Sequence, residues 1–73
     1  MTKNDVLARF GRKVHDQRAL LGLSQEELAA RAGLHRTYVG MIERAEKNLT
    51  LRNIEKLAIA LEIPLEKLLT LEK

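Results

Sequence analysis

The chain has 73 residues, with 13 Lys and Arg against 10 Asp and Glu for a formal charge of +3, and it has no cysteine. That length holds one domain, and the missing thiols exclude a disulfide framework, a cysteine nucleophile and a cysteine-ligated zinc. No apolar run approaches the roughly 18 residues that span a bilayer, and the opening stretch MTKNDVLARFGRK lacks the apolar core of a secretion signal, so a cytoplasmic protein without membrane contact is expected.

A first helix is predicted from about Asn4 to Leu21, with Leu7, Phe10, Val14 and Leu21 near one face at helical spacing. Gly22 supplies its stop. Ser24 then reads as an N-cap, and Glu27 three places on completes a capping box for a second helix ending near Ala32. Gly33 marks a chain reversal that needs positive φ, with Leu34 tucked beneath it. A third helix runs from about Arg36 to Arg44, with Val39 and Ile42 facing inward. The polar stretch AEKNLT follows, and Thr50 caps a fourth helix whose expected apolar face is Leu51, Ile54, Leu57, Ala58 and Leu61. Pro64 suits the first turn of a short fifth helix, where its missing N–H costs nothing, and Leu65, Leu68 and Leu69 give that helix its apolar side. Five helices and no alternating strand pattern make an all-α fold: a single domain over residues 1–73, with a helix-turn-helix at about 24–44 and a dimerisation region at about 51–71.

The window QEELAARAGLHRTYVGMIER, Gln25 to Arg44, carries the functional signal. Ala29 stands where two helices cross, Gly33 where the chain turns, and Leu28, Ala32, Leu34, Val39 and Ile42 form the shared seam. This layout is that of a helix-turn-helix, whose second helix enters the major groove of DNA and presents its first side chains to base edges. Charge is distributed accordingly. Residues 1–52 hold ten Lys and Arg against six Asp and Glu, while residues 53–73 hold three Lys against four Glu. An excess of positive charge beside the window is what phosphate attraction requires.

Arg36 is the leading base reader, because a guanidinium at the start of a recognition helix bonds O6 and N7 of guanine together. Thr37 either touches a base edge or thymine methyl or caps locally. Tyr38 either bonds a phosphate and presses on the groove wall or is the half-buried aromatic of the domain. Gly40 costs about 1 kcal/mol inside a helix, which close approach to DNA beside Met41 would explain, as would a tolerated packing defect. Arg44 reaches a base or phosphate, or complements the helix dipole. Arg18, Gln25, Lys47, Asn48 and Arg52 are candidate phosphate contacts. Glu43 would repel phosphate, and is expected to orient Arg44 or Arg36 or to pair with a neighbouring helix. Ile59, Ile63, Leu65 and Leu69 exceed what one small core needs and are the expected homodimer interface. His15 and His35 lie 20 residues apart without a ligand cluster, so no metal is expected. No nucleophile–base set or phosphate loop points to an enzyme or a cofactor.

From Phe10 to Leu69 the sequence resembles the lambda-repressor-like helix-turn-helix regulators; LSQEELAARAGL is a common form of their second helix and turn. The stretch HRTYVGMIERAEKNLTLRNIEKLAIAL looks closer still to the controller proteins of restriction–modification systems, although Gly40–Met41 stands where several members have Ser–Gly. The resemblance implies a homodimer on an inverted-repeat operator of double-stranded DNA, activating at low occupancy and repressing at high. It also implies that Glu26 contacts the sigma subunit of RNA polymerase, a reading weakened by Ala30 at a second acidic position of that patch. A phage-type repressor or an antitoxin would carry the same window, and a protein-interaction scaffold is the alternative from another class.

Overall fold

The computed structural model describes residues 5–71, and five helices follow one another with short connections: α1 (Asp5–Leu20), α2 (Gln25–Ala32), α3 (Arg36–Glu43), α4 (Leu51–Ala60) and α5 (Leu65–Leu68). The described residues contain no strand. Asn4, the expected start of the first helix, lies outside them.

Each helix end has a local cause. At α2 the Ser24 hydroxyl accepts the Glu27 backbone N–H at 3.0 Å, and the Ser24 N–H donates to the Glu27 carboxylate at 2.8 Å, so the capping box forms as expected. His35 caps α3 through Nδ1, which accepts the Thr37 N–H, and Thr50 caps α4 through its hydroxyl. Pro64 is the N-cap residue of α5, one place before the expected first turn. At the opposite ends the chain repeatedly closes a Schellman pair. Leu34 N–H reaches the Ala29 carbonyl with Gly33 at φ 68, Glu46 N–H reaches Met41 with Ala45 at φ 61, and Ile63 N–H reaches Ala58 with Glu62 at φ 59.

The core draws on every helix. Phe10 and Val14 of α1 meet Leu28, Ala29 and Ala32 of α2, Val39 and Ile42 of α3, Leu57, Ala58 and Ala60 of α4 with Leu61 just beyond it, and Leu68 of α5. α2 packs on α3 and α4, α1 packs on α3 and α5, and α5 packs on α4. Three apolar assignments need correction. Leu21 lies in the turn after α1 and is exposed rather than on its inward face. Leu51 begins α4 and is 67% exposed, and Leu69, the C-cap of α5, is exposed as well. Gly11 fixes how α1 meets α3. A Cβ there would stand 2.6 Å from the Ile42 carbonyl oxygen and 2.9 Å from that of Glu43, so only a residue without one lets the two backbones approach this closely.

Candidate nucleic-acid interface

The capped start of α2 and the start of α3 face each other across the Gly33 turn. Between them lies an open concavity of about 580 Å³, lined by Arg18, Ser24, Gln25, Glu26, Arg36, Thr37, Gly40 and Arg44. Six of the candidates for base or phosphate recognition, Arg18, Gln25, Arg36, Thr37, Gly40 and Arg44, thus converge on one surface. Tyr38, Met41, Lys47, Asn48 and Arg52 are not part of that lining. Lys47 and Asn48 are exposed in the loop after α3, and Arg52 is exposed in the first turn of α4.

Arg36 and Thr37 occupy the first two positions of α3 and are exposed. The Arg36 guanidinium lies 3.4 Å from the Glu26 carboxylate across the concavity, and Arg44 lies 3.2 Å from Glu46; all four side chains are exposed. Glu26 therefore faces Arg36, and nothing in this geometry supports the expected sigma-subunit contact. Gly40 is buried, because the Arg44 guanidinium folds over it: an added Cβ would sit 3.0 Å from Nη1 of Arg44 and 3.4 Å from Oε1 of Gln25. Both neighbours are the ends of flexible side chains rather than backbone.

Tyr38 is half-buried against the core, and its hydroxyl accepts Nδ2–H of Asn53 on α4 at 3.1 Å. Of its two expected roles the structure realises the half-buried aromatic. The bond also ties the flank of α3 to the first turn of α4, next to Arg52.

Beneath the surface lies an ion pair that corrects the expected role of Arg18. Every guanidinium nitrogen donates inward: Nε and Nη2 to the Glu43 carboxylate at 2.7 and 3.0 Å, and Nη1 to the Leu23 carbonyl at 2.8 Å. The Arg18 side chain is 14% exposed and that of Glu43 is 6% exposed. Arg18 is a strut between α1 and α3 rather than a free phosphate contact. Glu43 orients neither Arg36 nor Arg44 but takes the third expected role, pairing with a neighbouring helix. Gln25 joins this group by donating Nε2–H to Glu43 at 3.0 Å. Burial alone would raise the Glu43 carboxyl, but the bonds from Arg18 and Gln25 and the fields of Arg18 and His15 outweigh it and hold the group below its ordinary value. The same Glu43 bond outweighs desolvation at Arg18 and raises its pKa. The Glu27 carboxyl is lowered by the Ser24 backbone N–H and then by the Ser24 side chain.

The expected dimer residues divide into two kinds. Ile59 is 72% exposed and Leu69 is exposed, whereas Ile63 and Leu65 are partly buried against the core. Leu51, missed as a surface residue, lies eight positions before Ile59 on the same side of α4.

A helix-turn-helix family model matches residues 14–68. The chain belongs to the helix-turn-helix family. Control protein C.SmaI of Serratia marcescens is 46% identical over 66 residues, covering 90% of this chain and 79% of its own. Control protein C.BamHI of Bacillus amyloliquefaciens is 43% identical over 67 residues, covering 90% and 83%. The crystal structure of the restriction-modification controller protein C.AhdI from Aeromonas hydrophila is 48% identical with a TM-score of 0.83, over 85% of this chain and 94% of that one. As a helix-turn-helix protein with these relatives, the chain is a DNA-binding regulator and not an enzyme. No helix among the described residues is long and apolar enough to cross a membrane.

Proposed function

We propose that this helix-turn-helix protein is the controller of a restriction–modification system and binds an inverted-repeat operator as a homodimer. The observation that carries the reading is the convergence of Arg36 and Thr37 with Gln25 and Arg44 on one concave surface at the starts of α2 and α3. In the proposed complex α3 lies in the major groove. Arg36 bonds guanine O6 and N7, Thr37 meets an adjacent base edge or methyl, and Arg44 and Met41 serve the far end of the helix. Gln25 holds a phosphate beside the free amides at the start of α2, and Lys47, Asn48 and Arg52 hold others on the α4 side. Tyr38 acts through its position between α3 and α4. The exposed apolar residues Leu51, Ile59 and Leu69 are available for a second copy, which sets two half-sites about one helical turn apart. Titrating the promoter with protein in a transcription assay distinguishes activation at low occupancy from repression at high.

Selection from a random duplex library, followed by footprinting with the parent and with Arg36→Ala, tests the reading. The parent should enrich an inverted repeat, and Arg36→Ala should lose about 1–3 kcal/mol of discrimination at one guanine. A parent that enriches no sequence, or a variant with unchanged preference, would remove Arg36 and with it this account of recognition.

A further inference from the structure

A second depression, of about 450 Å³, adjoins the helix-turn-helix concavity and shares Gln25 and Arg44 with it. Its far wall is α1, which the helix-turn-helix itself does not include. Ala8, Arg12 and His15 lie on one stripe of that helix at spacings of four and three residues, and all three are exposed. Ala8 and Ala45 keep the floor low. Arg12, His15 and Arg44 supply cationic or ionisable heads around it.

The carboxylate in this wall, Glu43, is already engaged by Arg18 and Gln25, so it does not cancel the surrounding positive charge. The position of the stripe relative to α3 is also fixed. Gly11 brings α1 against the last carbonyls of α3, and the Arg18–Glu43 pair closes the same two helices a further two turns along α1. A ligand on α3 and Arg44 therefore meets Arg12 and His15 at a set distance, without a loop having to move.

We infer that this depression is a backbone-phosphate seat, in which Arg12 and His15 of α1, together with Arg44, extend the DNA contact beyond the helix-turn-helix. The inference rests on the DNA-binding reading above. Arg12 supplies a permanent cation. His15 supplies a ring nitrogen donor beside it, with Nδ1 3.2 Å from Asp16 on its own helix and Gln25, Glu43 and Arg44 of α2 and α3 lining the same depression.

The test is fluorescence anisotropy with a random-sequence duplex, which isolates phosphate contacts from base reading. Each lost phosphate contact lowers the slope of log affinity against log salt by about 0.9 and makes the affinity loss between 50 and 200 mM salt about 3.5-fold smaller. Arg12→Ala should show this change. Lys67→Ala, which removes the same unit of charge from α5, should keep the parent slope. His15→Ala should weaken binding to the same duplex, because it removes a ring N–H that can donate to a phosphate oxygen. The thermal midpoint of each variant separates a contact from a purely structural cation, because loss of a phosphate contact changes the slope and not the midpoint. An unchanged slope in Arg12→Ala, an equal loss in Lys67→Ala, or an unchanged affinity in His15→Ala overturns the seat while leaving the DNA-binding reading intact. A parent that binds no duplex at low salt overturns both.

Discussion

Removing Glu43 should destabilise the domain more than any exposed charge substitution, and the size of the effect follows from its surroundings. Its carboxylate accepts three side-chain hydrogen bonds, two from Arg18 and one from Gln25, and only 6% of it is exposed. Glu43→Ala leaves the Arg18 guanidinium, itself 14% exposed, facing a hole with no counter-charge. Breaking a buried pair from one side costs about 3–5 kcal/mol. Residual water access at Arg18 places the expected loss near the lower end, about 3 kcal/mol. A chain of this length has a total stability of roughly 4–11 kcal/mol, so Glu43→Ala approaches the unfolding threshold. Arg18→Met should cost a similar amount, but the double variant should cost much less than the sum, because neither charge is then left alone. Urea unfolding followed by circular dichroism measures all four corners of the cycle. The pH dependence gives an independent sign. Since the folded Glu43 pKa is lowered, its contribution is complete above the ordinary carboxylate value, about 4.3, and is lost as pH falls through the lowered folded value. Glu43→Gln should remove that part of the acid-side slope, whereas Glu27→Gln should remove the separate capping-box part. Additivity within about 0.5 kcal/mol would refute the argument that Arg18 and Glu43 act as one buried unit.

Gly11→Ala should destabilise by about 3 kcal/mol despite the better helix propensity of alanine, because the new Cβ meets two α3 carbonyl oxygens that belong to the backbone and cannot rotate away; thermal unfolding measures it. Ala45→Gly should stabilise by about 0.5–1 kcal/mol, raising the midpoint by several degrees, since Ala45 holds φ 61 at the end of α3 where glycine carries no Cβ penalty. Ile59→Lys should leave unfolding of the monomer nearly unchanged, because the side chain is 72% exposed, yet shift sedimentation toward monomer if α4 forms the proposed interface.

The elements set by neighbouring residues were legible. Ser24 and Glu27 form a capping box over three positions, and Gly33 takes the left-handed backbone one turn reversal needs; both act locally, so their spacing in the chain is their geometry. The misplaced residues depend on tertiary packing. Leu51 fits the apolar period of α4, but a period does not distinguish a face turned to the core from one turned to solvent at the helix's first residue. Arg18 looks like any surface cation until folding places it against Glu43, 25 positions away. Gly11 escaped notice although its signal was present. A glycine inside an amphipathic helix costs about 1 kcal/mol and calls for a reason. The same question, asked of Gly40, pointed to close approach to DNA or a packing defect; within the domain its nearest neighbours are the flexible ends of Arg44 and Gln25.

On α3 the residues that hold the helix in place are largely different from those available to a DNA contact. The helix is held by the His35 cap at its start, the Tyr38–Asn53 bond on its flank and the Arg18–Glu43 pair, joined by Gln25, at its end. Arg36 and Thr37 carry none of this burden and remain exposed. The ion pairs Arg36–Glu26 and Arg44–Glu46 are exposed and hence worth little, about 0–1 kcal/mol each. Either arginine can exchange its carboxylate for a base edge or a phosphate at small cost, while the charged contacts that would be expensive to break lie beneath the surface and need not change partners. Substitutions at the first two positions of α3 should therefore alter which operator is chosen, and substitutions at Arg18, Glu43 or Gly11 should alter whether there is a folded helix to present.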